Sequence, residues 1–188
     1  VFQDTAPVGT RYLAEVPRPV APVRYSPALD LLAPSTGADE IIIAPRHFLD
    51  ALQPLAAQRE AQGVRVRRVA VEDIYPLFNG GVFHPEAIRA FVAYAHTHWP
   101  GPAVKHLFLV GDGNFNLKGY NPTSYGPFTP TWIPPYREFA DPNQGDVPVD
   151  SRFGDVNNDG FPEVYVGRLP AQTVEEVASY VTKVLAYE

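Results

Sequence analysis

The run Ile41-Ile-Ile43, framed by Glu40 and Ala44, has no polar face and is too short to form a helix of its own. Such a segment must be covered on both sides, the condition met by strands of a parallel sheet held between helices. The residues after it keep that rhythm. Phe48, Leu52, Leu55 and Arg59 recur at helical spacing, so a helix is expected from about His47 to Gln62, with Gly63 just past its end. Pro54 predicts either a kink in that helix or a start nearer Asp50 that places it in the first turns. Val64, Val66, Val69 and Val71 mark a second strand. Pro85 opens another helix, with Ile88, Phe91, Val92, Ala95 and Trp99 on one face. Lys105 to Val110 is a third strand, ending in Gly111-Asp112, and Val164 to Gly167 a fourth. Thr173 and Glu176 form a capping box for a last helix buried through Val177, Val181, Val184 and Leu185.

Alternating strands and helices require parallel strands joined by right-handed crossovers. The expected fold is therefore a three-layer αβα domain around a mainly parallel four-stranded sheet. It accounts for residues 39–188. Residues 1–38 carry Pro7, Pro17, Pro19, Pro22, Pro27 and Pro34 without helical periodicity, which predicts an extended arm or linker. Residues 113–149 interrupt the alternation with a long segment rich in Pro, Gly, Tyr and Asn. Loops of that length inside a compact unit are usually functional or partly disordered. Tyr120, Tyr125, Phe128, Trp132, Tyr136 and Phe139 make it aromatic, either as a groove for a ligand or as a loop packed under its own rings.

The 188 residues suit a single domain with a tail, and a 45% apolar content is enough for a core. A net charge of −6 without a basic stripe argues against nucleic acid and anionic membrane surfaces as partners. No apolar run reaches the roughly 20 residues needed to cross a bilayer. With no initiating Met and no signal peptide, the chain is expected to be a mature form or an excised piece. It contains no cysteine, so these residues offer neither disulfides nor a thiolate nucleophile or metal ligand.

One segment concentrates oxygen ligands: Asp155, Asn157, Asn158, Asp159 and Glu163 fall within nine residues around Gly160. Carboxylates alternating with amides suit calcium, which takes six to eight oxygens at flexible angles. This is not an EF-hand, because Val166 stands where the twelfth-position glutamate belongs and a strand comes next. The alternative is an Asn/Asp/Gly turn held by its own side chains. Asp112, leaving the third strand, is expected to join Asp155, Asp159 and Glu163 around one cation if the loop folds back over the sheet, and otherwise to serve a cap or turn. His96 and His98 stand late in a helix, where positions two apart diverge, so they do not form a metal pair. His84 is placed in the loop before its helix, with no base or nucleophile beside it. No Gly-x-Ser-x-Gly and no phosphate-cradling glycine loop occurs.

From Glu40 to Glu188, about four fifths of the chain, several pieces come in a characteristic order. They are Ile41-Ile-Ile43, Gln62-Gly-Val-Arg-Val66, Val71-Glu-Asp-Ile74, Ile88-Arg-Ala-Phe91, Leu107-Phe-Leu-Val-Gly-Asp112, Ile133-Pro134, Glu163-Val-Tyr-Val-Gly-Arg168 and Tyr187-Glu188. In that order they resemble the N-terminal subdomain of the gingipain-type cysteine peptidases. The resemblance implies a Rossmann-like subdomain ahead of a caspase-like one that carries the catalytic His and Cys. It implies calcium held by the side chains of Asp112, Asp159 and Glu163 and by the carbonyls of Val156 and Phe161; Asp155 and Asn157 are additions that the family pattern does not assign. It also implies a secreted or cell-surface bacterial protein that meets peptide substrates through its downstream half. That half is not in this chain, so these residues alone are expected to be inactive. The alternative is a non-catalytic, calcium-dependent binding or scaffold module of a multidomain surface protein. An integrin-type propeller blade shares the acidic loop, but a propeller would repeat it and this chain does not.

Overall fold

The computed structural model describes residues 31–117 and 129–188. Most of the proline-rich arm, and Tyr120, Tyr125 and Phe128 of the aromatic segment, lie outside the described residues. Four parallel strands form the central sheet: β1 (Glu40–Ala44), β2 (Val66–Ala70), β3 (His106–Val110) and, after a hairpin, β6 (Tyr165–Leu169), in the order β2-β1-β3-β6. β1 is an inner strand, and its continuous apolar run is covered on both faces. Its alternate residues feed two separate cores. Ile41 and Ile43 join Ile74, Ile88, Phe91, Leu107 and Leu109 under helices α2 (Val71–Phe78) and α3 (Pro85–His98). Ile42 and Ala44 join Phe48, Leu52, Leu55, Val177 and Val181 under α1 (Gln53–Ala61) and α4 (Val174–Tyr187). Helices thus cover both faces, and the three layers expected from the alternation are present.

Several boundaries differ from the sequence reading, each for a local reason. The first helix does not run from His47. Arg46–Phe48 make one 3-10 turn and α1 begins at Gln53, with Pro54 in its opening positions, where a missing N–H costs nothing. β2 ends at Ala70, and Val71 opens α2 instead of closing the strand. Glu72 and Asp73 stand in the first turn of α2, where carboxylates complement the helix dipole, and they outweigh the valine alternation. The segment 113–149 also holds structure: β4 (Arg137–Asp141) and β5 (Gly145–Pro148) pair antiparallel. Their turn is built by Asp141, whose Oδ1 accepts from the Asn143 and Gln144 N–H groups at 2.7 and 2.9 Å. The last helix begins as expected, with Thr173 as N-cap and the reciprocal Glu176 bond in place.

Asp39 ties together the entry ends of three strands. Its carboxylate accepts from Arg65 N, Nε and Nη2 at 3.0, 2.8 and 2.8 Å, and its carbonyl accepts from Lys105 and His106 N–H. The hydrogen bonds from the Arg65 side chain and backbone hold the carboxyl down at about 2, against an ordinary 3.8. A depressed folded-state value adds stability above the unfolded value, and that stability disappears as pH falls through the folded one. Asp39→Asn is therefore expected to lower stability at neutral pH, with the gap to wild type closing between about 3.8 and about 2. Urea unfolding across that range is the check. A gap independent of pH would mean that Asp39 acts through shape and not charge.

Candidate functional site

The acidic loop is organised from inside by Asp155. This side chain is 1% exposed and its carboxylate accepts from Arg152 Nη1 at 2.5 Å, Asp159 N at 3.1 Å and Gly160 N at 3.0 Å. Arg152 Nε also lies 2.7 Å from Glu138 Oε1 on β4, a charge contact without hydrogen-bond alignment. Asp155's own carbonyl accepts from Arg89 Nη1 of α3 at 2.8 Å. The turn needs two left-handed residues, Asn158 at φ 65° and Gly160 at φ 93°, and Asn and Gly are the side chains that tolerate this backbone. The loop closes where Glu163 N and Val164 N donate to Gly154 O. Gly154 is required there, because a Cβ would sit 2.2 Å from the Val164 carbonyl oxygen.

On the solvent side, Asp159 and Glu163 converge. Asn157 Nδ2 donates to Asp159 Oδ2 at 3.1 Å and to Glu163 Oε1 at 2.8 Å, while Glu163 Oε2 accepts from Val156 N at 2.8 Å. Two carboxylates meeting at one positively polarised amide create the charge pattern that a hard cation satisfies. Asp155, with both oxygens engaged by three donors, shapes the loop. Among the described residues, no three acidic or imidazole side chains gather into a metal site. A cation here would have to draw on carbonyls as well.

Asp112 is not brought to this loop. Its Oδ2 accepts from Gln172 Nε2 at 2.7 Å and its Oδ1 from Gly113 N at 2.8 Å, beyond the end of β3. β6 starts opposite His106 and finishes opposite Val110, so the loop precedes one end of β6 while Asp112 lies beyond the other. At about 3.3 Å per residue, the strand alone separates them by more than about 13 Å. His84 directly precedes α3, and His96 and His98 fall in its last turn, where the sequence places them. His84 caps α3 by accepting from Glu86 N, His96 contacts Val104 O, and His98 stacks on Tyr94.

The residue that the sequence reading left without a role is Arg168. Its guanidinium grips Asp150 through Nε and Nη2 at 2.7 and 2.9 Å, and its Nη1 donates to Gly111 O and Ile133 O at 3.0 and 3.1 Å. It joins the exit of β3, the return at Ile133 and the 3-10 turn Asp150–Phe153 that leads into the acidic loop. The sign of this role in the sequence is a charged residue inside an otherwise apolar terminal strand.

A sequence model for peptidase family C25 matches residues 33–188. The chain belongs to peptidase family C25. No curated protein matches it. Among solved structures it is similar to dimeric latent PorU from Porphyromonas gingivalis, at a TM-score of 0.64 and 24% identity over 80% of this chain and 16% of that one. It is also similar to the complex of Porphyromonas gingivalis RgpB pro- and mature domains, at a TM-score of 0.56 and 21% identity over 79% of this chain and 29% of that one. These solved structures share the fold over the matched residues. The chain spans less than a third of either polypeptide.

Arg168→Ala is expected to cost about 2–4 kcal/mol, since it strands Asp150 and two carbonyls together. Arg168→Lys keeps the charge without the fork and should recover at most part of this. Denaturant titration of the three proteins is the check. A lysine variant as stable as wild type would show that charge alone suffices.

Proposed function

We propose that this C25 chain is the N-terminal, calcium-stabilised support region of a cysteine endopeptidase, whose thiolate–imidazole pair lies elsewhere in the polypeptide. The observation that carries this reading is a family match over residues 33–188 in a sequence with no cysteine. A peptidase that works by cysteine attack needs the nucleophile from outside these residues. Here the αβα unit buttresses the catalytic part of the same polypeptide, and peptide substrates reach it through that part. The parent is a secreted or cell-surface bacterial protein, where calcium near millimolar suits the modest affinity of an extracellular loop.

In this proposal calcium is held by Asp159 and Glu163 with the Val156 and Phe161 carbonyls, and the ion takes over the place of the Asn157 amide. Asp155 positions the loop. Asp112, secured by Gln172 at the far end of β6, belongs to a separate junction. The ion supplies charge neutralisation and rigidity and takes no part in bond cleavage.

The test uses the full-length protein. Thiol-sensitive peptide hydrolysis is expected, and its loss on deleting residues 39–188 would confirm the supporting role. Cleavage insensitive to thiol alkylation would overturn the cysteine reading. Separately, a calcium chelator should lower the melting temperature of wild type by several degrees and that of Glu163→Gln much less, with Asp112→Ala responding like wild type. A melting temperature indifferent to calcium and chelator alike would leave the loop as a self-satisfied turn.

A further inference from the structure

At the exit end of the sheet, the chain leaves β1 towards one face and β2 towards the other. A cleft of about 360 Å³ lies there, walled by Tyr75, Phe83 and Trp132 and bordered by Pro45 and Glu72. It lies apart from the acidic loop, at the opposite end of the strands. The rings are fixed by their own packing: Tyr75 and Phe83 centroids stand 5.3 Å apart, and Trp132 packs edgewise on His47 and Phe48.

The electrostatics of this cleft are unusual for the start of a helix. α2 begins beside it without a side-chain cap, so its free amides would ordinarily attract an anion. Glu72 and Asp73 occupy that first turn and reverse the sign. Asp73 is neutralised by the Arg46 guanidinium at 2.5 Å. Glu72 is not. Both its oxygens accept from the Arg46 backbone N–H at 3.1 Å, and among the described residues no cationic side chain pairs with it. The Tyr75 hydroxyl is buried without a partner, and burial with the Glu72 charge pushes its ionisation up, so the ring stays a neutral phenol.

We propose that this cleft binds a compact quaternary or alkylated ammonium ion, seated against the Tyr75, Phe83 and Trp132 rings in the field of Glu72. Aromatic walls with an uncompensated carboxylate attract a cation through ring quadrupoles and charge together. A guanidinium would also stack on these rings, but its bidentate fork on Glu72 would compete with the Arg46 N–H that both oxygens share. A diffuse alkylammonium needs only field and ring surface.

The experiment titrates the full-length protein with choline chloride, its neutral carbon isostere dimethylbutanol, and arginine amide, at matched ionic strength, by calorimetry or ligand-observed NMR. Choline is expected to bind at about millimolar strength, with the isostere at least about tenfold weaker. Phe83→Ala, at a 38% exposed position outside both buried core clusters, should weaken choline severalfold, and Glu72→Gln should do so while sparing the isostere. Equal binding of choline and isostere would reduce the cleft to an apolar groove and overturn the proposal. So would tighter binding of arginine amide, or choline binding that both variants leave untouched, or no choline binding at all.

Discussion

The fork of Arg168 on Asp150 is the contact on which the arrangement of the loops depends. A parallel sheet fixes its strands through backbone ladders, but it does not fix the chain between β3 and β6, which is longer than any other connection here. One planar guanidinium, 13% exposed, supplies four directed bonds to three separate stretches of that connection. Because those partners are carbonyls and a carboxylate in a partly dry junction, the bonds are stronger than their surface equivalents. The 3-10 turn at Asp150–Phe153 is thereby held against β6, and Phe153 drops into the core beneath α3.

From that anchor the acidic loop is built by short steps. Arg152 leaves the same turn and reaches Asp155, while Arg89 of α3 takes the Asp155 carbonyl. The buried carboxylate then collects two backbone amides of the turn. A loop that satisfies its own interior in this way can keep Asp159 and Glu163 turned outward. The distinction between a carboxylate that builds a loop and one that faces solvent depends on burial, and Asp155 and Asp159 divide on that basis.

Much of the frame was legible before any coordinates. The Ile41-Ile-Ile43 strand, the Pro85 helix start and the Thr173–Glu176 cap all stand where the residues indicate, because each is decided by neighbours within a few positions. Val71–Phe78 was not legible as a helix, since Val71 continues a strand-like alternation and Pro76 sits inside the helix. The β4–β5 hairpin escaped for the opposite reason. Its residues are mostly exposed, so no core imposes an apolar alternation on them, and only the Asp141 turn betrays it.

Sequence by itself determined the three-layer class, the burial of β1 on both faces, the family and the concentration of oxygen ligands between Asp155 and Glu163. These rest on short-range pattern and on residue type. Tertiary structure alone decided which carboxylates share a neighbourhood. Asp112 and Glu163 bracket the same strand pair in the sequence pattern, yet strand direction sends them to opposite ends of β6. It also decided that Tyr75, Phe83 and Trp132, distant along the chain, wall one cleft beside Glu72. Chain spacing carries no information about such meetings, because they are fixed by crossover direction and strand register, which emerge only when the sheet is assembled.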